Sequence, residues 1–158
     1  MDTAIFNLTH GLYVLTTRLG GRDNGCIVDA VMQASAMPQR VAVAVMKKNL
    51  SHGMVMGSGL FNLSVLTDET PQKVFRHFGL QSGAAVDKFS GCEEEHRSEN
   101  GLLYIPKYTN AFLSCRVEQQ HDLGTHTLFV AEVTESRILG DDRGITYNEY
   151  RKTLAQRQ

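Results

Sequence analysis

Residues 11–35, "GLYVLTTRLGGRDNGCIVDAVMQAS", indicate the kind of fold. Residues 11–17 are rich in β-branched and aromatic side chains, which favour a strand. A turn cluster follows at 20–25, and its Asn24-Gly25 pair between two apolar runs is a strong β-hairpin signal. Residues 26–35 then predict the returning strand. The stretch therefore predicts two antiparallel strands joined by a tight turn.

The rest of the chain adds strands and only short helices. The run RVAVAVM at 40–46 is apolar on both faces and predicts a central strand. A helix that begins at Asn49 or Ser51 and ends near Gly57 or Gly59 follows it. Further strands are predicted at 59–66, 109–119 and 125–138, and further helices at 69–79 and 146–154. About six strands with mostly hairpin connections predict a mainly β fold, a small antiparallel barrel.

Length and charge exclude several classes of protein. A chain of 158 residues predicts one domain over 1–158. Sixteen basic and 17 acidic residues are scattered along it, so no basic stripe for nucleic acid is expected. The longest apolar run, Val41 to Met46, is too short to span a membrane, and the N-terminus has no signal-type segment. We therefore expect a cytoplasmic protein.

Cysteines and histidines have no spacing typical of a structural site. Cys26, Cys92 and Cys115 are odd in number, widely spaced and without a CxxC motif. This argues against a disulfide framework and against a thiolate metal site. The six histidines show no HExxH spacing either. We expect no metal.

Two segments have residues that suit ligand binding. Alternation along 26–35 puts Ile27, Asp29, Val31 and Gln33 on one face, which either lies in water or lines a pocket with a few directed hydrogen bonds. In "KKNLSHG", residues 47–53, two lysines precede the start of a helix, where free N–H groups and the helix dipole favour an anion such as phosphate. Solvent exposure and an ordinary capped helix are the simpler interpretations of the two segments.

A third candidate lies in "GTHTLFVAEV", residues 124–133. From Thr125 the residues alternate with the period of a half-buried strand, and His126 stands at its entrance. A single histidine in a strand is usually structural, bonded to a nearby carbonyl or to water. The strand alone therefore does not assign His126 a role.

The order of these features resembles a known family. It is a GLYVLTT strand, an Asn-Gly turn, a small-residue strand ending in Ser35, a VAVAV strand and an Asn-Leu-Ser helix start. A Gly-x-Phe strand, an Asp-Lys-Phe loop at 87–89 and a Gly-x-His strand follow. Over about residues 5–154 this resembles the flavin reductase-like domain family, an FMN-binding split barrel. Within that family it is most similar to the flavoprotein part of high-molecular-weight rubredoxin and to flavoredoxin.

The resemblance implies a role for individual residues. Residues implied to line the flavin ring and ribityl chain are Asn24, Gly25, Cys26, Asp29, Gln33, Ala34 and Ser35. Those implied at the ribityl-phosphate end are Lys48, Asn49, Ser51 and His52. Lys88 and Tyr150 are also implied to bind FMN, and His126 is implied as the catalytic residue, in nicotinamide binding or proton transfer.

Two departures from the family pattern change what is expected. Where the family usually has Gly-Asp-His, this chain has Thr125, so His126 lacks a carboxylate that would orient or charge it. No rubredoxin module with CxxC ligands follows the tail, so electrons are expected to pass to a separate acceptor. The flavin carries the redox chemistry, and the protein supplies binding and orientation.

The resemblance therefore predicts an FMN-containing oxidoreductase that passes electrons from NADH or NADPH to a separate redox protein, such as rubredoxin, or to free flavin. It also implies a homodimer. A non-enzymatic FMN electron-transfer protein that exchanges electrons only with protein partners is the alternative. A pyridoxamine-phosphate-oxidase-like barrel shares the architecture, but its substrate-binding arginines have no clear equivalents here.

Overall fold

The computed structural model describes residues 3–89 and 96–156. Cys92 lies outside these described residues. The strands are β1 (Tyr13–Leu19), β2 (Arg22–Val28), β3 (Val31–Ala36), β4 (Gln39–Met46), β5 (Leu60–Leu66), β6 (Thr109–Asp122) and β7 (His126–Ile138). The helices are α1 (Leu50–Ser58), α2 (Gln72–Phe75) and α3 (Tyr147–Ala155), with a 3-10 helix at Ala4–Asn7 and a π-helix at Arg76–Leu80.

The seven described strands form one antiparallel sheet in the order β2-β1-β5-β6-β7-β4-β3. Its two edge strands, β2 and β3, are consecutive in the chain. Only Asp29 and Ala30 separate them, and Ala30 O accepts a hydrogen bond from Ala44 N in β4 at 3.0 Å. The two edges of the sheet therefore approach each other where the chain crosses between them. The predicted mainly β antiparallel fold is confirmed, with seven strands where about six were expected.

The first hairpin turns earlier than predicted. Gly20 and Gly21 form the turn, with φ of 60° and 78°, and Leu19 pairs directly with Arg22. A two-residue hairpin of this kind needs positive φ at both central residues, and Gly20-Gly21 supplies it at no steric cost. Asn24 and Gly25 lie inside β2. The prediction of an Asn24-Gly25 turn was therefore wrong.

The predicted single strand over 26–35 is two strands. The chain breaks at Asp29 and Ala30, where Val31 N donates to Asp29 O at 2.9 Å. The alternation of side chains therefore does not continue across the break. Ile27 and Asp29 line one cavity, whereas Val31 and Gln33 line another. The predicted common face of these four residues was wrong.

Two groups of apolar side chains form the core. The first includes side chains of β1, β2, β4, β5 and β7, such as Leu15, Val43, Phe61 and Phe129, each fully buried. The second lies beneath α2, the π-helix and the adjoining loops: Leu12, Val14, Leu66, Phe75, Phe78, Phe89, Leu103 and Ile145. Burial of Phe75 and Phe78 in this second group sets the position of the helical segment that follows β5.

Helix ends follow the local sequence. Asn49 is the N-cap of α1, its side chain accepting from Ser51 N at 3.2 Å, and Gly59 ends the helix with φ of 69°. A capping box of Thr146 and Glu149 begins α3. The predicted α1 is confirmed, including Asn49 as its cap. In the described ranges, every helix is too short or too polar to cross a membrane.

Candidate functional site

Two adjoining cavities beside the β2 edge form the candidate site, and we name them together the groove. They share Gly79 and Leu80 of the π-helix. The cavity at the start of α1 has a volume of about 240 Å³, and the one beside α3 about 290 Å³. Small-molecule sites are typically about 300–1,000 Å³, so the two cavities together reach the size of a cofactor site.

The first end of the groove, the helix-start end, suits an anion. Lys48, Asn49 and Leu50 line it at the N-terminus of α1. The free N–H groups and the dipole of a helix N-terminus favour negative charge. Lys48 makes no ion pair with any described residue, whereas the neighbouring Lys47 pairs with Asp122 at 2.7 Å. This end therefore carries positive charge that no carboxylate of the described residues neutralises.

A second cation, Lys88, lines the same end of the groove and is only 4% exposed. Its Nζ donates to Gly25 O at 2.8 Å and to Phe78 O at 2.9 Å. Within residues 3–89 and 96–156 no carboxylate pairs with it, and burial lowers the pKa of the ammonium group. A buried ammonium is costly unless it is paired, so an anionic ligand at this end would be stabilised by it.

The other end of the groove, the tyrosine end, suits a planar ligand. Asp29, Phe75, Tyr147 and Tyr150 are among its lining residues. The rings of Phe75 and Tyr150 lie 4.5 Å apart between centroids, and burial raises the pKa of Tyr150. Aromatic walls of this kind pack against flat ring systems, while the Asp29 carboxylate and the tyrosine hydroxyls offer directed hydrogen bonds.

Three residues predicted to bind the flavin lie behind the groove. Asn24 is fully buried and donates from Nδ2 to Ser51 Oγ at 2.9 Å. Cys26 belongs to the barrel core, and burial raises the pKa of its thiol to about 11. Gly25 offers its carbonyl to Lys88. These three residues and Ser51 therefore support the groove from behind. Other residues form its lining.

Four predicted residues are not brought to the groove. Gln33 lines a separate, mostly apolar cavity of about 410 Å³, while Ala34 and Ser35 lie on the edge strand β3. His52 is tied to β7 through a 2.7 Å hydrogen bond between its Nε2 and Thr127 Oγ1. Burial lowers the pKa of His52, with Lys47 adding to the effect. The break at Asp29 separates β3 from β2 and explains the first three placements.

His126 lies beside the helix-start end. It is half-buried, and its cross-strand partner is Met46, which lines the groove. Cross-strand partners project from the same face of a sheet, so the imidazole lies next to the groove. Its Nδ1 forms a 2.8 Å hydrogen bond with Thr125 Oγ1. Thr125 therefore orients the ring, without the charge that a carboxylate would add.

Sequence reasoning missed the central part of the groove. Gly79 and Leu80 join its two ends, yet the sequence predicted Gly79 only as the last residue of the helix at 69–79. Residues 81–83 form a further part of the lining. The available signal was a glycine-containing polar segment directly after an amphipathic helix. No group of three or more His, Cys, Asp or Glu side chains within the described ranges is arranged to hold a metal.

Residues 5–154 match the flavin reductase like domain family. The chain belongs to this family. The predicted family is confirmed, and with it the prediction of an oxidoreductase built on a flavin-binding domain.

Two curated relatives are similar over almost the whole chain. High molecular weight rubredoxin of Moorella thermoacetica is 38% identical over 151 residues, which are 95% of this chain and 66% of that protein. Ferric-chelate reductase (NAD(P)H) of Archaeoglobus fulgidus is 34% identical over 147 residues, 93% of this chain and 86% of that one. The chain thus spans just under two thirds of the length of the first relative.

Solved structures share the fold. The FMN-binding protein of Thermus thermophilus superposes with a TM-score of 0.81 at 20% identity, covering 93% of this chain and 86% of that one. Flavoredoxin of Methanosarcina acetivorans superposes with a TM-score of 0.76 at 23% identity, covering 87% of this chain and 73% of that one. The predicted antiparallel split-barrel fold is confirmed.

Proposed function

We propose that the chain, as one flavin reductase-like domain over 1–158, binds FMN noncovalently in the groove. It passes electrons from NADH or NADPH to a separate acceptor, a small redox protein such as rubredoxin or free flavin. The observation that carries this proposal is Lys88, a buried cation on the groove wall that pairs with no carboxylate of the described residues. Such a cation fits a ligand that brings its own negative charge.

The groove offers the two chemistries that FMN requires. Its phosphate is an anion, which suits the helix-start end with Lys48, Asn49 and Lys88. Its ring system is flat and edged with hydrogen-bonding atoms, which suits the tyrosine end with Asp29 and Tyr150. When bound, the flavin supplies the hydride and electron transfer. The residues present therefore fit the group.

The protein's own residues position the ligand and its charge. Two of the three N–H groups of the Lys88 ammonium donate hydrogen bonds to the carbonyls of Gly25 and Phe78, which hold it in place. A cation fixed in a buried position favours ligand states that carry more negative charge, because the surrounding dielectric constant is low. Lys88 thus supports retention of a cofactor whose anionic end lies at the helix-start end.

We propose His126 as the residue that contacts the nicotinamide substrate or transfers a proton. Its support is its position beside the groove, next to Met46, and the hydrogen bond by which Thr125 orients the ring. With a neutral hydroxyl as its partner, the imidazole is oriented without the negative charge that a carboxylate would bring. We therefore assign it a modest part in catalysis.

The relatives support the donor and the acceptor in this proposal. One is named as an NAD(P)H-dependent ferric-chelate reductase and another as a rubredoxin of high molecular weight. The nicotinamide donor agrees with the first name, and the small redox-protein acceptor agrees with the second. We further propose a homodimer, supported by a mostly apolar cavity that shares no lining residue with the groove and is lined by Tyr13, Val31, Leu113 and Val133 among others.

The placement of FMN is tested by charge reversal at Lys48. Lys48→Glu should weaken FMN binding by about tenfold or more in a fluorescence titration, because a phosphate loses a cation and gains a repulsive neighbour. Lys47→Glu is the matched control, since Lys47 has the same charge but pairs with Asp122 outside the groove. Equal FMN affinity in the two variants would reject the placement.

The activity is tested by anaerobic mixing of the FMN-loaded protein with NADH and with NADPH. Rapid bleaching of the flavin absorbance is expected with at least one of them. If FMN is bound and neither nucleotide bleaches it, the reductase proposal fails and the protein is an electron carrier between protein partners.

A further inference from the structure

The side chain of Asn24 lies between the two walls of the helix-start end. One wall is the start of α1, and the other is formed by residues 81–88, which we name the groove loop. Asn24 lines neither cavity, and only 1% of it is exposed. Its carboxamide is therefore in a position to act on the groove through other residues.

On one side Asn24 is bonded to the start of α1. Its Nδ2 donates to Ser51 Oγ at 2.9 Å, and Ser51 N donates to Asn49 Oδ1 at 3.2 Å. Asn49 is the N-cap of α1 and lines the groove. This chain of hydrogen bonds ties the N-terminus of α1, with its free N–H groups, to strand β2.

On the other side the groove loop packs directly on the carboxamide through Gly83. A Cβ atom added to Gly83 would lie 2.7 Å from Asn24 Cγ and Nδ2 and closer still to Oδ1. In real proteins a Cβ atom essentially never lies within 3.0 Å of such a neighbouring heavy atom. Asn24 is buried and hydrogen-bonded, so it cannot move aside at low cost. Only glycine lets the loop come this close.

Neighbours of Asn24 on β2 hold the same loop. The Arg22 guanidinium donates to Gly83 O. Lys88, at the far end of the loop, donates to Gly25 O at 2.8 Å. Arg22 and Gly25 therefore attach the loop to β2 through hydrogen bonds, and the Asn24 carboxamide between them is the spacer that stops the loop from approaching further.

We propose that Asn24 is a positioning residue that sets the width of the groove at its helix-start end, and that residue 83 is glycine because this width requires contact with the carboxamide. The inference rests on the proposed binding of the anionic end of FMN at this place. Hydrogen bonds tolerate only a few tenths of an ångström in length, so both walls must stand at the right separation to hold one anion. Loss of one hydrogen bond to a charged group through such a misplacement weakens binding by about 10- to 150-fold.

Gly83→Ala tests the proposal, because its Cβ pushes the groove loop away from Asn24. We expect the Kd for FMN, from fluorescence titration of fully folded protein, to rise between about tenfold and 100-fold, because the displaced loop loses a hydrogen bond to the anion. Gly53→Ala on α1 is the matched control, since a Cβ there meets no described atom within 4 Å. Its Kd should equal that of the wild type. A purely structural role would lower the unfolding temperature of Gly83→Ala and leave this Kd unchanged.

A double-mutant cycle identifies Asn24 as the group that the new Cβ meets. Asn24→Ala removes the carboxamide, so adding Gly83→Ala in that background should change the Kd by less than about twofold. An undiminished effect of Gly83→Ala in the Asn24→Ala protein would overturn the proposal, as would a wild-type Kd for Gly83→Ala alone.

Arg22→Met provides a second route if Gly83→Ala does not fold. Arg22 is exposed, so its replacement spares the core, and loss of its bond to Gly83 O should raise the Kd by about fivefold. Arg18→Met removes the same charge from the neighbouring strand without touching the loop. This control variant should bind FMN with the wild-type Kd. Equal effects of Arg22→Met and Arg18→Met on the Kd overturn the proposal.

The Lys48→Glu variant distinguishes failure of this proposal from failure of the proposed function. If Lys48→Glu also leaves the Kd for FMN unchanged, the proposed function fails. If Lys48→Glu weakens binding while Gly83→Ala does not, only the positioning role fails.

Discussion

Replacing Lys88 with methionine removes a buried ammonium group and keeps an unbranched apolar side chain of similar reach. In the wild type the ammonium donates to Gly25 O and Phe78 O and pairs with no carboxylate of the described residues. The substitution therefore removes both the charge at the groove and two hydrogen bonds to the backbone, and separate assays of FMN binding and of folding measure the two consequences.

The effect on FMN binding is expected to be large. A hydrogen bond to a charged group contributes about 1.5–3 kcal/mol. If Lys88 provides one such bond to the anionic end of FMN, Lys88→Met raises the Kd by about 10- to 150-fold. Burial lowers the pKa of Lys88 below its ordinary value of 10.5, so in the wild type this contribution should decline with rising pH before an exposed lysine would lose its charge. The variant should lack that decline.

The effect on folding is expected to be small. Two buried carbonyls lose their donor at about 1–3 kcal/mol each, while the variant no longer buries an unpaired charge, itself a penalty of several kcal/mol. These changes oppose each other, so the free energy of unfolding of the FMN-free protein should change by less than about 2 kcal/mol. Lys88→Met should thus lose affinity and keep its fold.

Fluorescence titration with FMN between pH 7 and 10 and urea unfolding of the FMN-free protein measure the two effects. Lys107→Met is the control, because Lys107 is an exposed lysine outside the groove. If Lys88→Met binds FMN with the wild-type Kd and the wild-type pH dependence, Lys88 does not serve an anionic ligand and the reasoning from its unpaired charge is refuted.

Three further results are expected. His126→Asn should leave FMN bound but slow its anaerobic reduction by NAD(P)H about tenfold. This effect is below the usual range for acid–base assistance because Thr125 supplies no charge to the imidazole. An unchanged stopped-flow rate of flavin reduction would show that the histidine is structural. Burial raises the pKa of Cys115 from 9.0 to about 12, so the unfolded thiol ionises first and stability is lost as pH rises. Between pH 8 and 10 the free energy of unfolding, measured with urea, should fall by about 1.4 kcal/mol more for the wild type than for Cys115→Ala. Equal decreases in the two proteins would contradict the burial of this thiol. The proposed homodimer predicts twice the chain mass of 17.6 kDa by light scattering, and the single mass would remove it.

Much of the fold was predictable because its signals are local. Period-two alternation located the strands, and the apolar run at 40–46 predicted β4, which lies between β7 and β3. Asn49 and Gly59 bound α1 through cap interactions that span only a few residues. The order of these segments was enough to identify the family. Each of these features depends on residues close together in the chain.

Local signals did not determine where the first hairpin turns. Gly20-Gly21 and Asn24-Gly25 both allow positive φ, and the sequence offers both within six residues. Pairing of β1 with β2 on one side and β5 on the other places the turn at Gly20-Gly21 and keeps Gly25 within β2. The choice is made by strand register, which depends on contacts far apart in the sequence.

The groove itself was decided by the tertiary structure. Its helix-start end joins Lys48 to Lys88, and its tyrosine end joins Asp29 to Tyr150. The sequence pattern predicted Lys48 and Asp29, and the family resemblance implied Lys88 and Tyr150. Only the pairing of the strands and the packing of the π-helix bring these side chains to one place. The same packing leaves Gln33 on another surface and sets Gly83 against Asn24. Secondary-structure propensity depends on a few neighbouring residues. A binding site is assembled by packing between residues far apart in the sequence, and no local pattern encodes those contacts.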